Sequence, residues 1–302
     1  MKPMAFFLFS ISLGLATLVG GEPERPLVTG IAFVRFYTTN IVQSRDFYTK
    51  TLGFDTSANC PASESSLCIA INGNQELRLS TPGPNTPANL IAEIGFAISD
   101  IPAMRRYLLT KDLQPTSIYS TSTHSSQFSV SDPEGHKVTF VEQSKGYALS
   151  HGPDPRTSQD LIHAGFVVRD RAAQDHFYKD ILGFRPYWHG GMKDNETSWV
   201  AMQVPDGTDW VEYMLNISHN ADKHTLGVMN HIALGVPDIH AAQQQLIKNG
   251  WKPGEEPKLG RDGKWQLNLY DPDDTRVEFM EFKPAEKPCC SEFTGPHPGP
   301  HQ

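Results

Sequence analysis

The stretch FYTKTLGF at residues 47–54 returns as FYKDILGF at residues 177–184, 130 positions further along the chain. Two shorter markers, each containing an aspartate, repeat in the same order: SDI at 99–101 as PDI at 237–239, and SDPEG at 131–135 as YDPDD at 270–274. Three repeats in one order and in similar register predict that the chain holds two copies of one domain.

The repeats set the expected domain boundaries. We assign residues 28–145 and 159–283 to the two copies. Segment 146–158, which joins them, has the proline and glycine content of a linker. Residues 284–302 form a tail rich in Pro, Gly, Cys and His, which we expect to lie on the surface as an extended arm.

Each copy divides again into two units of the order strand, helix, strand, strand, strand. In the first unit a β-rich run at 31–34 precedes a helical pattern from Ile41 to Leu52, which ends at Gly53, a residue that favours helix C-termini. The Asp-Pro sequences near residues 132 and 271 are typical of tight turns before a last strand. The sequence thus predicts an α+β fold of four βαβββ modules arranged in two pairs.

Composition excludes some classes of function. The chain has 302 residues, which is long for a single small core, and a formal net charge of −8 with no basic cluster. That charge argues against a nucleic-acid partner. A small-molecule partner is the remaining expectation.

The N-terminus differs in kind from the rest. Lys2 precedes an almost uninterrupted apolar run from Met4 to Val19, which ends in small residues at Gly20 and Gly21. This pattern predicts a cleaved secretory signal peptide at residues 1–21, hence a secreted or periplasmic protein without stable membrane insertion. An uncleaved membrane anchor is the alternative, although the run is short for a spanning helix.

Export gives the cysteines two possible roles. Cys60 and Cys68 flank a serine-rich stretch and are either a local disulfide or two thiols. Cys289 and Cys290 are adjacent in the tail, near His297, but their spacing matches no established metal-ligand pattern.

Paired βαβββ modules, with the FY…LGF helix end and the Asp-Pro turn before the last strand, resemble the vicinal-oxygen-chelate family. This family includes glyoxalase I, bleomycin- and fosfomycin-resistance proteins and extradiol dioxygenases. The resemblance covers the chain from about residue 28 to residue 283. It implies that two modules curl into a cup-shaped mixed sheet, with metal ligands on the first and last strands of each module.

Carried over by position, the resemblance places the metal ligands in the C-terminal copy. His163 and His231 stand on the first strands of modules three and four, and Glu212 and Glu278 stand on the last strands. The His-to-Glu spacings are 49 and 47 positions, so the two modules offer matched pairs.

Two imidazoles and two carboxylates suit a divalent ion such as Zn²⁺, Ni²⁺, Fe²⁺ or Mn²⁺. On an octahedral ion they leave two adjacent positions for a substrate with neighbouring oxygens. The ion would polarise a carbonyl and stabilise an enediolate. Glu212 or Glu278, released from the metal, would serve as catalytic general base.

The N-terminal copy lacks this set. Aligning the repeats places Gly30, Arg78, Glu93 and Thr139 opposite the four predicted ligands, so we expect a degenerate site that binds no metal.

Three functions remain open. A glyoxalase-like lyase or isomerase fits the full His/Glu/His/Glu set. An extradiol-type Fe(II) dioxygenase would use His163, His231 and Glu278 as a facial triad, with Glu212 as an extra carboxylate. A non-catalytic, resistance-type protein that binds a small ligand would need no metal.

Five further side chains are candidates for lining the cup: His176, His189, Trp199, Tyr213 and Trp265. Three histidines are expected at the surface: His219, His224 and His240.

Overall fold

The computed structural model describes residues 23–57, 65–83, 91–120, 125–142 and 154–300. The predicted signal peptide and Cys60 lie outside these residues, so export stays a prediction. In the part of the chain so described, no helix is both long and apolar enough to cross a membrane.

The N-terminal half contains two βαβββ modules. Its strands are β1 (Val28–Tyr37), β2 (Asp55–Thr56), β3 (Ser66–Ala70), β4 (Glu76–Ser80), β5 (Ile91–Ile98), β6 (Tyr119–Ser120), β7 (Ser126–Ser131) and β8 (Lys137–Glu142). Its helices are α1 (Ile41–Asp46), which continues as a π-helical segment (Phe47–Thr51), and α2 (Ile101–Leu109).

The C-terminal half repeats this order, with one added helix before its second module. Its strands are β9 (Asp160–Val167), β10 (Arg185–Gly190), β11 (Trp199–Gln203), β12 (Trp210–Met214), β13 (His231–Val236), β14 (Lys258–Leu259), β15 (Trp265–Tyr270) and β16 (Arg276–Glu281). Its helices are α3 (Arg171–Gln174), continued by a π-helical segment (Asp175–Ile181), α4 (Lys223–Met229) and α5 (Ile239–Lys248).

The strands form two mixed sheets of eight strands each within the described residues. Their orders are β2-β3-β4-β1-β5-β8-β7-β6 and β10-β11-β12-β9-β13-β16-β15-β14. In each sheet the two modules meet through antiparallel pairing of their first strands, β1 with β5 and β9 with β13. The predicted fold, four βαβββ modules in two pairs, is confirmed.

Repeated sequence markers start and end the helices. The side chains of Asp100 and Asp238 accept hydrogen bonds from the first backbone N–H groups of α2 and α5, so both are N-caps. Gly53 and Gly183 follow the two π-helical segments with φ of 80° and 79°, a conformation that favours glycine.

The two halves share one hydrophobic core. Phe96 of the first half packs edge-on against Tyr178 and Phe184 of the second, with ring centroids 6.4 Å and 5.3 Å apart. Strand β9 is buried along its whole length, because one face lies in this core and the other faces the concave side of its sheet.

The repeated FY and Asp-Pro markers also join the halves. The Tyr48 hydroxyl donates to Asp271 Oδ2 at 3.2 Å, and the Tyr178 hydroxyl donates to Asp132 Oδ2 at 3.4 Å. Each tyrosine thus bonds the turn aspartate of the other half. The two markers repeat together because they form the two symmetric ends of one interdomain contact.

Candidate metal centre

The four predicted ligands lie on the four central strands of the second sheet. Strands β12, β9, β13 and β16 are neighbours in that order and carry Glu212, His163, His231 and Glu278, respectively. Gly165 pairs with both Glu212 and His231, while Ala233 pairs with both His163 and Glu278. Because paired residues share a face and alternate residues on a strand do too, all four side chains point to the concave side.

Donor atoms of His163, Glu212 and His231 all lie within 4.8 Å of one another, whereas Glu278 is close to the two histidines but lies outside that group. The Nε2 atoms of His163 and His231 lie 3.0 Å apart. Glu212 Oε2 lies 3.9 Å and 3.3 Å from these two nitrogens. Glu278 Oε2 lies 3.7 Å and 3.8 Å from them. Donors that hold one ion at about 2.0–2.2 Å are themselves about 3–4 Å apart, so these spacings suit a single ion.

Burial sets the protonation of the four groups. Both imidazoles are fully buried, and this desolvation lowers their pKa well below its ordinary value, so they are neutral. Burial also raises the pKa of Glu212 and of Glu278 to about 7. Neutral imidazoles are the form that binds metal. A divalent cation would offset the two buried carboxylate charges, so the donor set fits such an ion.

The ring of His231 occupies space that only a glycine leaves free. A Cβ atom added at Gly165 would lie 2.0 Å from His231 Cε1 and 2.7 Å from its Nε2. The side chain of residue 165 would therefore point into the cluster itself. Glycine at this position is a requirement of the site that no sequence pattern predicts.

The second ring nitrogens orient the histidines unequally. His231 Nδ1 lies 3.3 Å from the carbonyl oxygen of Met229, a contact that fixes the ring. His163 Nδ1 is buried and has no hydrogen-bond partner among the described residues. The His163 ring instead packs against Trp210, with centroids 4.7 Å apart.

Arg276, which sequence reasoning did not select, reaches the cluster from β16. It stands two residues before Glu278 and so shares its face. Its Nη2 donates to His231 Nε2 at 2.7 Å and lies 4.0 Å from Glu278 Oε2. A charged residue two positions from a predicted ligand on the same strand was the available signal.

Lys264 is a second cation beside the cluster. Its side chain is fully buried, and Nζ lies over the rings of Trp210, Phe293 and Tyr187 at 4.8, 5.3 and 5.7 Å from their centroids. Nothing in the described part of the chain accepts a hydrogen bond from Nζ. Burial lowers the pKa of Lys264 to about 8.

The cluster opens into a cavity of about 300 Å³, a volume suited to a small organic ligand. Glu212, Glu278 and Arg276 lie at the site, and five aromatic side chains form much of the wall: Tyr187, Trp188, Trp199, Trp210 and Phe293. An apolar wall around a few charged groups is the usual construction of a ligand site.

Of the side chains expected to line the cup, only Trp199 does so. Tyr213 follows Glu212 on β12 and therefore faces the core, where its hydroxyl donates a hydrogen bond to Gln174 O. His176 and His189 are exposed. Trp265 packs against His240. The three histidines predicted at the surface, His219, His224 and His240, are exposed.

The N-terminal sheet places other residues at the corresponding positions. Arg78, Glu93 and Thr139 stand where they were expected, but Phe33 and not Gly30 takes the place of His163, because Phe33 pairs with Gly95 as His163 pairs with Ala233. Strand β1 contains register shifts that displace the sequence alignment.

These side chains bond one another. Arg35 Nε lies 2.8 Å from Glu93 Oε2, and Lys137 Nζ lies 3.2 Å from Glu93 Oε1. The guanidinium of Arg78 lies over the Phe33 ring at 3.5 Å. The absence of a metal from this half stays a prediction.

The tail contributes to the wall of the C-terminal cavity, whereas the extended surface arm expected from its sequence would not. Phe293 packs against Tyr187 with centroids 4.9 Å apart and joins the cavity wall. The Tyr187 hydroxyl lies 2.7 Å from His297 Nδ1. Cys289 and Cys290 form a disulfide between adjacent residues. The cup is therefore completed by residues outside the two repeats.

Comparison with known families agrees with this architecture. The sequence profile of the Glyoxalase/Bleomycin resistance protein/Dioxygenase superfamily matches residues 30–140 and 160–279, one match in each half. A protein of Synechocystis sp. named "Probable lactoylglutathione lyase" is 29% identical over 125 residues, which is 40% of this chain and 94% of that protein.

Solved structures extend the likeness to both halves. Homoprotocatechuate 2,3-dioxygenase from Arthrobacter globiformis superposes with a TM-score of 0.65 at 17% identity, over 85% of this chain and 80% of that one. The substrate complex of the same enzyme from Brevibacterium fuscum gives 0.62 at 18% identity, over 85% and 82%. At these identities the likeness concerns the fold alone.

Proposed function

The chain belongs to the glyoxalase/bleomycin resistance protein/dioxygenase superfamily, and on this premise we propose that its C-terminal half is a metal-dependent enzyme. It would act on a small substrate with two neighbouring oxygens, as a lyase or isomerase. The convergence of His163, Glu212 and His231, whose donor atoms all lie within 4.8 Å of one another, carries the proposal, and Glu278 Oε2 lies 3.7 Å and 3.8 Å from the two histidine nitrogens.

A bound divalent ion would supply a Lewis acid for the substrate oxygens. The two histidines would hold it as neutral ligands. Glu212 and Glu278 both line the cavity, and Glu212 is the more exposed, at 13% against 4% of the side chain. Because Glu212 is the more open to the cavity, we assign it, when released from the metal, the role of general base.

An extradiol-type iron dioxygenase is the second candidate. His163, His231 and Glu278 alone make a two-histidine, one-carboxylate set, which suits non-haem Fe(II). Glu212 separates the two candidates. As a fourth donor it favours the lyase, because it would crowd the positions that a catechol and O₂ need together.

Elemental analysis of the purified mature protein, followed by titration of the stripped protein with Zn²⁺ and Fe²⁺, tests the site. We expect one divalent ion per chain and its loss in His163→Ala. His176→Ala, which removes an exposed histidine, is the matched control. Unchanged metal content in His163→Ala would refute the ligand assignment.

Glu212→Gln then separates the reactions. A lyase should lose metal affinity and turnover together, whereas an iron dioxygenase should keep its iron through the remaining three ligands. A resistance-type binding protein, by contrast, would hold its ligand with unchanged affinity after the metal is stripped.

We also propose that the protein is exported, on the signal-like sequence of residues 1–21. N-terminal sequencing of the mature protein from the extracellular or periplasmic fraction should find a start close after Gly21. A start at Met1 would refute this.

A further inference from the structure

Arg276 has bonding capacity that the described residues leave unused. Its Nε is buried without a hydrogen-bond partner in the described ranges, and its side chain is only 17% exposed. Its contact with His231 uses the nitrogen lone pair that a metal ion would take. An ion on His231 Nε2 would therefore turn the guanidinium away, towards the cavity that Arg276 lines.

Lys264 adds a second positive charge behind the aromatic wall of this cavity. Nζ is enclosed by Trp210, Tyr187 and Phe293, all three of which line the cavity. It has no hydrogen-bond acceptor in the described ranges, so the carboxylates nearby do not neutralise it by direct contact. A buried ammonium without a partner is costly, and such groups are commonly held for function.

The charges around the cavity favour an anion. Glu212, Glu278 and Asp262 contribute three negative charges when ionised, and Lys264 and Arg276 contribute two positive ones. A divalent ion would bring this set to a net charge of plus one. Two further cations at the cavity, Lys258 and Arg261, are each paired with a carboxylate, so they add little.

We propose that the substrate carries a carboxylate, or a similar anionic group, beside its two chelating oxygens, and that Arg276 binds this group with support from Lys264. The inference rests on the proposed metal site. Arg276 is thus a specificity-determining residue. Its planar fork can present two N–H donors to a carboxylate, which a lysine cannot do.

Matched pairs of chelators test the proposal on the zinc-loaded protein, by calorimetry at pH 7 without oxygen. Hydroxypyruvate and hydroxyacetone differ by a carboxylate in place of a methyl group, and so do 3,4-dihydroxybenzoate and 4-methylcatechol. In the second pair the carboxylate lies too far from the hydroxyls to chelate the same ion, so its preference reports on the protein alone. We expect each carboxylate to bind at least tenfold tighter than its methyl partner, since hydrogen bonds to charged groups are the strong ones.

Substitutions at the cavity show which side chain causes the preference for the carboxylate. Arg276→Gln should reduce the ratio within each pair to less than threefold while leaving the neutral members' affinity nearly unchanged, and Arg276→Lys should keep part of it. Lys258→Met, which removes an exposed rim cation, should leave the ratio unaltered. A wild-type ratio near one, or an unchanged ratio in Arg276→Gln, would overturn the proposal.

Three further outcomes each have a defined meaning. If Arg276→Gln no longer holds zinc, Lys264→Met provides the test, and a ratio unchanged in that variant overturns the inference. If the wild-type protein binds no zinc, the same comparison is made with Fe²⁺, and if it binds neither ion the proposed function fails. If zinc and the neutral chelators bind without preference for anions, only the anion site fails.

Discussion

Gly165→Ala should abolish the metal site without removing any ligand. The added methyl carbon would lie 2.0 Å from His231 Cε1 and 2.5 Å from His231 Nδ1. Carbon atoms in contact are normally about 3.5–4.0 Å apart, so the ring must move by about 1.5 Å or more. Ligand distances at a metal tolerate only about 0.2 Å, so His231 Nε2 would leave the coordination sphere.

The expected loss of zinc affinity can be estimated from the displacement of His231. Loss of a group that merely orients a ligand lowers metal affinity by about 10- to 100-fold, so we expect at least 100-fold here. At free zinc equal to 100 times the wild-type Kd, binding stabilises the wild-type protein by about 2.7 kcal/mol. A hundredfold weaker site would retain about 0.4 kcal/mol. The crowding itself should destabilise the zinc-free protein by about 1–3 kcal/mol.

Thermal unfolding with and without zinc, together with calorimetric titration, measures both effects. Gly254→Ala is the matched control, because no atom lies within 4 Å of a Cβ at that exposed position. Zinc affinity within threefold of wild type in Gly165→Ala would refute the argument, since it would mean that His231 is not a ligand or that its ring has another place.

Three further predictions concern charge and the interdomain contact. Zinc affinity should fall as the pH drops below about 7. Burial raises the pKa of Glu212 and of Glu278 to about 7, and both carboxyl groups must release their protons to bind the ion. A flat profile of zinc Kd from pH 5.5 to 8 would contradict this. Lys264→Met should move the midpoint of that profile to higher pH, because the ammonium lowers the pKa of Glu212; a midpoint that stays or falls would count against it. Tyr48→Phe should lower the free energy of unfolding, measured in urea, by about 1–3 kcal/mol, because Asp271 loses a buried hydrogen bond. Tyr119→Phe, at an exposed position, should have no effect. Equal free energies of unfolding for the two variants would disprove the interdomain role.

Much of the fold could be predicted because it follows from local rules. The first strand begins at Val28, close to the predicted start of the domain, and α2 begins at Ile101 after an aspartate cap. Helix caps, glycines that end helices and strand periodicity each involve only a few neighbouring residues, so they can be recognised in a single sequence. The repeat then supplied the pairing of modules.

The candidate ligands could also be chosen from the sequence. The resemblance to the family singled out His163, Glu212, His231 and Glu278, and the structure brings donor atoms of the first three within 4.8 Å of one another. The cup-lining residues were predicted less well. Tyr213 faces the core because a one-residue step along a strand reverses the face. The placement of Gly30 opposite His163 was wrong because the irregular register of β1 adds residues that spacing alone does not reveal.

The sequence by itself determined the modular fold, because periodicity and repeated position encode it, and the resemblance to the family then singled out the four candidate ligands. Only the tertiary structure decided what surrounds them. It placed Arg276 against His231, enclosed Lys264 among aromatic rings and brought Phe293 of the tail into the cavity. These contacts join residues from separate strands and from the tail, and no local pattern encodes them.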